Sequence, residues 1–157
     1  MSSFIADYQA DILSQFREQK ALADAALARC DDRMFFARLR EDGDDHTNSI
    51  AILVKHLSGN FRSRWTDFLT TDGEKPDRHR EREFVEEGGD GRTTLMQRWE
   101  EGWAILFAAI GGLSEEDFSR TVVIRGEPHS VARAIHRNLL HAAHHIGQID
   151  LMATVLA

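Results

Sequence analysis

The stretch SVARAIHRNLLHAAHHIGQIDLM, residues 130–152, decides how this chain is read. Steps of three and four from Val131 pick out Ala134, Asn138, His141, His145, Gln148 and Met152, the repeat of one face of an α-helix. Four of those side chains are polar where a plain helical bundle would place Leu or Ile. A buried polar seam has to be satisfied or used. The predicted helix begins near Ser130 and runs almost to the end of the sequence.

Three more helices lie upstream. Phe4, Ile5, Tyr8, Ile12, Phe16, Ala23 and Leu27 recur at helical spacing, with Ser2 or Ser3 as N-cap, and the pattern ends near Cys30. Residues 31–47, rich in Asp, read as a loop anchored by Met34, Phe35, Phe36 and Leu39. A second helix is expected to start at Thr47–Ser49 and to reach about Leu69 on Ile50, Leu53, Val54, Leu57, Phe61, Trp65 and Phe68, until Thr71-Asp72-Gly73 stops it. Residues 74–91 are charged, contain Pro76, and read as a long surface loop. Thr94-x-x-Gln97 fits a capping box for a third helix through Leu95, Trp99, Trp103, Leu106 and Ile110, stopped by Gly111-Gly112. The β-branched run Thr121–Ile124 and the turn Arg125-Gly126-Glu127-Pro128 predict a short hairpin before the last helix. The expected fold is all-α: a four-helix bundle with a hairpin insert, one domain over residues 1–157. No G-x-G-x-x-G, G-K-[ST] or G-x-S-x-G is present, which disfavours a Rossmann fold, a P-loop and an α/β-hydrolase.

Composition narrows the function classes. With 157 residues the chain is long enough to bury a core without a disulfide or structural metal. Its single cysteine, Cys30, excludes an internal disulfide and Cys-rich zinc modules. The longest apolar run, Ala104–Leu113, falls short of the roughly 18 to 20 residues a membrane span needs. The amino terminus carries Asp7 and Asp11 and does not read as a signal peptide. A cytoplasmic protein without a membrane partner is expected. The net charge of −7, and the dilution of Arg78, His79, Arg80 and Arg82 by Asp77, Glu81 and Glu83, argue against nucleic-acid binding.

Histidine is the anomaly: five of eight (His129, His136, His141, His144, His145) fall in the last 29 residues. His141 and His145 stand one helical turn apart on one side, close enough to share a metal ion. Solvent-facing pairs of this spacing also occur without metal. His56, at the margin of the second helix's apolar stripe, offers a third imidazole; its plain alternative is a core histidine bonded to a carbonyl. Asn60, Asn138 and Gln148 are available to orient rings or hold water. His144, a partial turn off the seam, is a substitute ligand. His136 points away, His129 reads as an exposed hairpin residue, and His46 and His79 sit in polar loops. No H-E-x-x-H occurs, no histidine has Glu three residues before it, and one cysteine forbids C-x-x-C-H. Zincin, carboxylate-bridged di-iron and covalent-haem readings therefore drop out. Cys30 shows no sequence pairing that would activate it as a nucleophile.

The segment NSIAILVKHLSGN, residues 48–60, followed downstream by His141-x-x-x-His145-Ile146-Gly147-Gln148-Ile149, resembles the DinB (DinB/YfiT-like) superfamily of metalloenzymes, and within it a branch described as a domain of unknown function. The likeness covers nearly the whole chain, including Gly73-Glu74-Lys75-Pro76-Asp77 and Ile124-Arg125-Gly126-Glu127. It implies a four-helix bundle of that type, commonly a homodimer, with His56, His141 and His145 as metal ligands. Characterised relatives include thiol S-transferases that use low-molecular-weight thiols and a glutathione-dependent isomerase.

Three neutral imidazoles leave a coordination position open on zinc or nickel, with iron or manganese as alternatives. An ion with an open position lowers the pKa of a bound water or thiol, the chemistry of a hydrolase or an S-transferase acting on a small molecule. A non-catalytic metal- or ligand-binding dimeric bundle, a sensor or interaction module, is the other expectation. Both require the ring of residue 56 to lie within about 8 Å of the two carboxyl-terminal rings, since zinc holds its nitrogens at roughly 2.0 to 2.1 Å.

Overall fold

Serine opens three of the long helices. The side chains of Ser3, Ser49 and Ser130 accept hydrogen bonds from the backbone N–H groups of Ala6, Ile52 and Arg133, each satisfying a donor that the first helical turn leaves unpaired. In the computed structural model the described residues are 3–39, 48–85 and 87–157. Gly43, His46 and Thr47 lie outside them, and with them part of the expected 31–47 loop and one expected cap.

The elements in order are α1 (Phe4–Ala28), α2 (Asp32–Phe36), α3 (Ile50–Trp65), a 3-10 turn (Arg80–Phe84), α4 (Arg92–Gly111), a second 3-10 turn (Glu116–Ser119), β1 (Thr121–Ile124), β2 (Glu127–Ser130) and α5 (Val131–Val155). The protein is mostly helical, with a two-stranded sheet. α3 packs against α4 and α5, and α1 against α5 and α4, so the four long helices surround one core. Phe16, Phe61, Trp65, Trp99 and Trp103 fill it. The hairpin pairs Val122 with His129 and Val123 with Pro128, and turns through Arg125 and Gly126, both at positive φ, the backbone a tight two-residue turn demands.

Four expectations need correction. The 31–47 stretch contains a helix, α2, because Asp31 caps Met34 and the Met34–Phe35 pair buries. α3 stops at Trp65 rather than Leu69: Thr66 turns extended and Asp67 sits at φ 48. The capping box at Thr94 does not form, since α4 already begins at Arg92 after Gly91, and Gln97 reaches forward to Glu101. His129 is buried at 7% exposure instead of exposed, because it takes the inward-facing position of β2.

The 74–91 segment is not merely a solvated loop. Its first part is tied down: the carboxylate of Asp72 accepts from the backbone N–H groups of Glu74, Arg125 and Gly126, and Gly73 donates to Val123. Its 3-10 turn then lies along α3 and delivers Glu83, 7% exposed, to the helix surface.

Candidate metal centre

His56 sits mid-way along α3, and His141 and His145 sit one turn apart on α5, which packs against it. Their ring centroids are 5.1 Å (His56–His141), 5.0 Å (His56–His145) and 4.7 Å (His141–His145) apart. One nitrogen from each lies within 4.8 Å of the other two, so the three can hold a metal ion. The Nε2 atoms of His56 and His141 are 3.0 Å apart. Two ligands of one tetrahedral zinc, each roughly 2.0 to 2.1 Å from the ion, stand about 3.3 Å from one another, so only small ring movements separate this arrangement from coordination.

Each outer nitrogen has its own environment, and these fix which atom faces the centre. His56 is 2% exposed and its Nδ1 donates to Glu83 Oε2 at 2.8 Å, leaving Nε2 turned inward. The Nδ1 of His145 donates to Gln148 Oε1 at 2.7 Å, with the same result. His141 Nδ1 is buried and has no partner. Hydrogen bonds from the outer nitrogen to a carboxylate or amide lock a ligating imidazole's tautomer and orientation. Burial first, then the nearby His145, His56, Arg78 and Arg64, push the His141 pKa down to about 3. Burial also lowers that of His145, against a smaller upward pull from Gln148. Both rings are therefore neutral at pH 7, as metal ligation requires.

Glu83 is the site residue that sequence reasoning missed. Arg78 grips it in a two-pronged pair, Nε to Oε1 and Nη2 to Oε2, both 2.8 Å, and Arg78 also donates to Glu74. Burial would raise the Glu83 carboxyl, but the hydrogen bonds from Arg78 and His56 outweigh it and hold the carboxyl below its usual range. A glycine makes the approach feasible: a Cβ at residue 59 would stand 2.9 Å from the Glu83 carboxyl carbon. Phe84 covers the His56 ring from the same turn, centroids 4.7 Å apart.

Two of the candidate orienting residues do other work. Asn138 donates to Asn60 Oδ1 at 2.7 Å and accepts from Trp65 Nε1 at 3.0 Å, a buried clasp between α3 and α5 one turn from the histidines. Neither amide touches an imidazole of the centre. Gln148 does. His144 is exposed, its ring 5.1 Å from that of His145, on the rim rather than among the three. His136 is exposed on α5 and tilts against Tyr8, away from the centre. His79 is exposed near Glu81. Cys30 is buried, and its thiol is pushed up, chiefly by burial.

A cavity of about 690 Å³ opens on the neighbouring face of α3, between Ser58, Gly59, Arg62 and the α4 residues Gly102 and Ile105, with Glu83 in its wall. None of the three histidines lines it. Among the described residues no helix is long and apolar enough to cross a membrane.

No curated protein and no solved structure matches the chain. The sequence profile of DUF1572, described as a protein of unknown function, matches residues 3–157, nearly the full length; the chain belongs to that family.

Proposed function

We propose that this protein is a divalent-metal-dependent enzyme, an S-transferase using a low-molecular-weight thiol or a hydrolase, acting on a small molecule. The observation that carries the reading is the convergence of His56, His141 and His145 from two helices, with inward nitrogens fixed by Glu83 and Gln148. His141 and His145 are only half-buried, so an incoming ligand can reach the centre from the α5 side. The likeness of the helix motifs to the DinB superfamily supports the same ligand set and a DinB-like bundle.

A divalent ion held there, zinc or nickel in first place and iron or manganese otherwise, supplies a Lewis acid with a free position for water or thiol. The chain's own residues then divide the remaining work. Glu83 is not a free base, because Arg78 and His56 occupy both its oxygens; it orients His56. To His144, exposed on the rim with its ring 5.1 Å from that of His145, this reading gives the role of accepting a proton from the incoming group. Phe84 excludes water from the His56 flank. A homodimer belongs to the same reading, and the solvent face of α5, where Leu140, Leu151 and Val155 are well exposed, is apolar enough to serve it.

Elemental analysis of purified protein, then a screen of thiol-plus-electrophile mixtures with and without chelator, tests the proposal. One equivalent of metal and chelator-sensitive turnover are expected. Metal without turnover favours the non-catalytic sensor. Protein devoid of metal even after incubation with zinc and nickel salts overturns both.

A further inference from the structure

The histidine centre makes no use of the cavity beside α3. Its volume, about 690 Å³, is that of a small-molecule pocket, and well-packed folds leave few voids larger than a water. Ser58, Gly59 and Ser63 of α3 and Gly102 of α4 give it a floor of small residues. Gly102 is small because the two helices touch there: a Cβ would stand 3.3 Å from the Ser58 carbonyl oxygen. The opposite wall comes from the 74–91 segment, and Ile105 is the one large apolar side chain lining the space among the described residues. A ligand that fits here is polar.

Most charges in that lining are matched within the chain. Arg78 pairs with Glu83 and Arg82 with Glu87, each at 2.8 Å, while Lys55 at 2.6 Å and Arg98 at 3.5 Å share Asp90. Lys75 Nζ donates to the carbonyls of Ser63 and Asp72. A remainder is left at one end, around the last turn of α3. There the side chains of Arg62, Asp67 and Asp77 line the cavity and make no hydrogen bond or ion pair among the described residues. The backbone holds Asp67 in an uncommon conformation: φ is 48, and its carbonyl accepts from the N–H groups of Thr70 and Thr71 at 3.0 and 3.1 Å. Non-glycine residues rarely occupy the left-handed region, and such positions cluster at ligand sites. Charges of both signs therefore face one polar space with nothing in the chain to neutralise them.

We propose that this cavity is a second small-molecule site, distinct from the histidine centre, and that it takes a zwitterion, a free amino acid or short peptide, with its carboxylate on Arg62 and its ammonium on Asp67. The planar fork of a guanidinium suits the two oxygens of a carboxylate. A ligand of single charge would leave one sign at this end unmatched, and a neutral one would leave both. The site stands independently of the enzymatic reading, since none of the three histidines lines the cavity. Glu83 belongs to both, as part of the cavity wall and as the anchor of His56.

The test uses full-length protein stripped of metal, with the chelator dialysed away, so that amino acids cannot report through an ion at the histidines. Thermal unfolding is followed with each of the standard amino acids and with trialanine. A ligand at ten times its Kd raises the folded-to-unfolded ratio about 11-fold, a Tm shift of roughly 3 to 6 °C for a chain this long. At least one of these compounds is expected to give such a shift. Its N-acetyl and carboxamide forms, each lacking one charge, should bind about tenfold more weakly or worse. Arg62→Gln and Asp67→Asn should each lose the shift. Both side chains are exposed, so the unliganded variants are expected to melt within about 2 °C of the parent, and asparagine accepts the positive φ at 67. If Asp67→Asn does not fold, Arg62→Gln decides alone. No shift with any compound, equal shifts with the capped forms, or shifts unchanged in the variants overturn the proposal. Metal uptake by the parent, measured separately, bears only on the histidine centre.

Discussion

Gly59→Ala separates a glycine kept for helix economy from one kept for the site. Gly59 lies inside α3, where replacing glycine by alanine normally stabilises a helix by about 1 kcal/mol. Here the new Cβ would stand 2.9 Å from the carboxyl carbon of Glu83 and closer still to its Oε1, where ordinary contact begins at 3.4 Å. A free glutamate would swing aside at little cost. Glu83 is not free: it is held by two 2.8 Å hydrogen bonds from Arg78 and one of 2.8 Å from His56. Retreat from the methyl stretches at least one of them beyond useful length, and a hydrogen bond to a charged group contributes about 1.5 to 3 kcal/mol. The loss exceeds the helix gain, so Gly59→Ala is expected to be destabilised by roughly 0.5 to 2 kcal/mol, a Tm lower by about 1 to 8 °C. His56 loses its anchor at the same time, and metal affinity measured by chelator competition should fall about 10- to 100-fold. Urea unfolding of the metal-free protein gives the first quantity independently of the second. A variant stabilised by about 1 kcal/mol, with unchanged metal affinity, would refute the claim that Glu83 is fixed in place.

Other perturbations probe the remaining links. His56→Ala, His141→Ala and His145→Ala should each lose stoichiometric metal by elemental analysis, whereas His136→Ala should retain it. Asn138→Ala leaves Trp65 Nε1 and Asn60 Oδ1 without partners in the core, at an expected cost of about 2 to 4 kcal/mol in urea unfolding; metal content should stay at one equivalent, because the clasp touches none of the three rings. Metal-free protein should lose stability as pH falls. The folded His141, lowered mainly by burial, takes no proton until about pH 3, while the unfolded chain takes one near 6.5. The stability is full above pH 6.5 and is lost between there and about 3, at up to 1.4 kcal/mol per pH unit for this proton. His141→Phe should flatten that slope, and an unchanged slope would show that other groups carry it. Asp72→Asn should weaken three backbone hydrogen bonds that tie the 74–91 segment to the hairpin, seen as faster amide exchange at Glu74, Arg125 and Gly126 with the long helices unaffected.

What the sequence exposes and what it hides follow from the range of the interactions. Helix starts at Ser3, Ser49 and Ser130 are legible because a cap acts over three residues. The His141–His145 pair is legible because helical geometry alone places it. The Thr94 box misleads because Gly91 lets α4 begin a few residues earlier, and α2 is missed because the burial of Met34 and Phe35 is a tertiary effect that overrides an Asp-rich composition. Glu83 is invisible for a stricter reason. It lies 27 residues from His56, in a segment whose alternating charges read as solvated, and only the folded course of that segment turns one acid of several inward. His129 reads as a loop residue, yet the strand alternation of β2 already assigns it the inward face opposite Val122.

The folded seam carries two kinds of polar contact that sequence spacing alone cannot tell apart. Asn60 and Asn138 satisfy each other and Trp65, so their burial is balanced within the chain and they act as a register lock between α3 and α5. One turn from that lock the balance fails. Toward the carboxyl end of α5 the nitrogens of His56, His141 and His145 face one another, the Nε2 atoms of the first two 3.0 Å apart, and the buried Nδ1 of His141 has no partner. A cation held by one nitrogen from each of the three rings answers that deficit. Buried polar groups left unmatched cost several kcal/mol each, and a fold kept only for stability would replace them with apolar side chains of like volume.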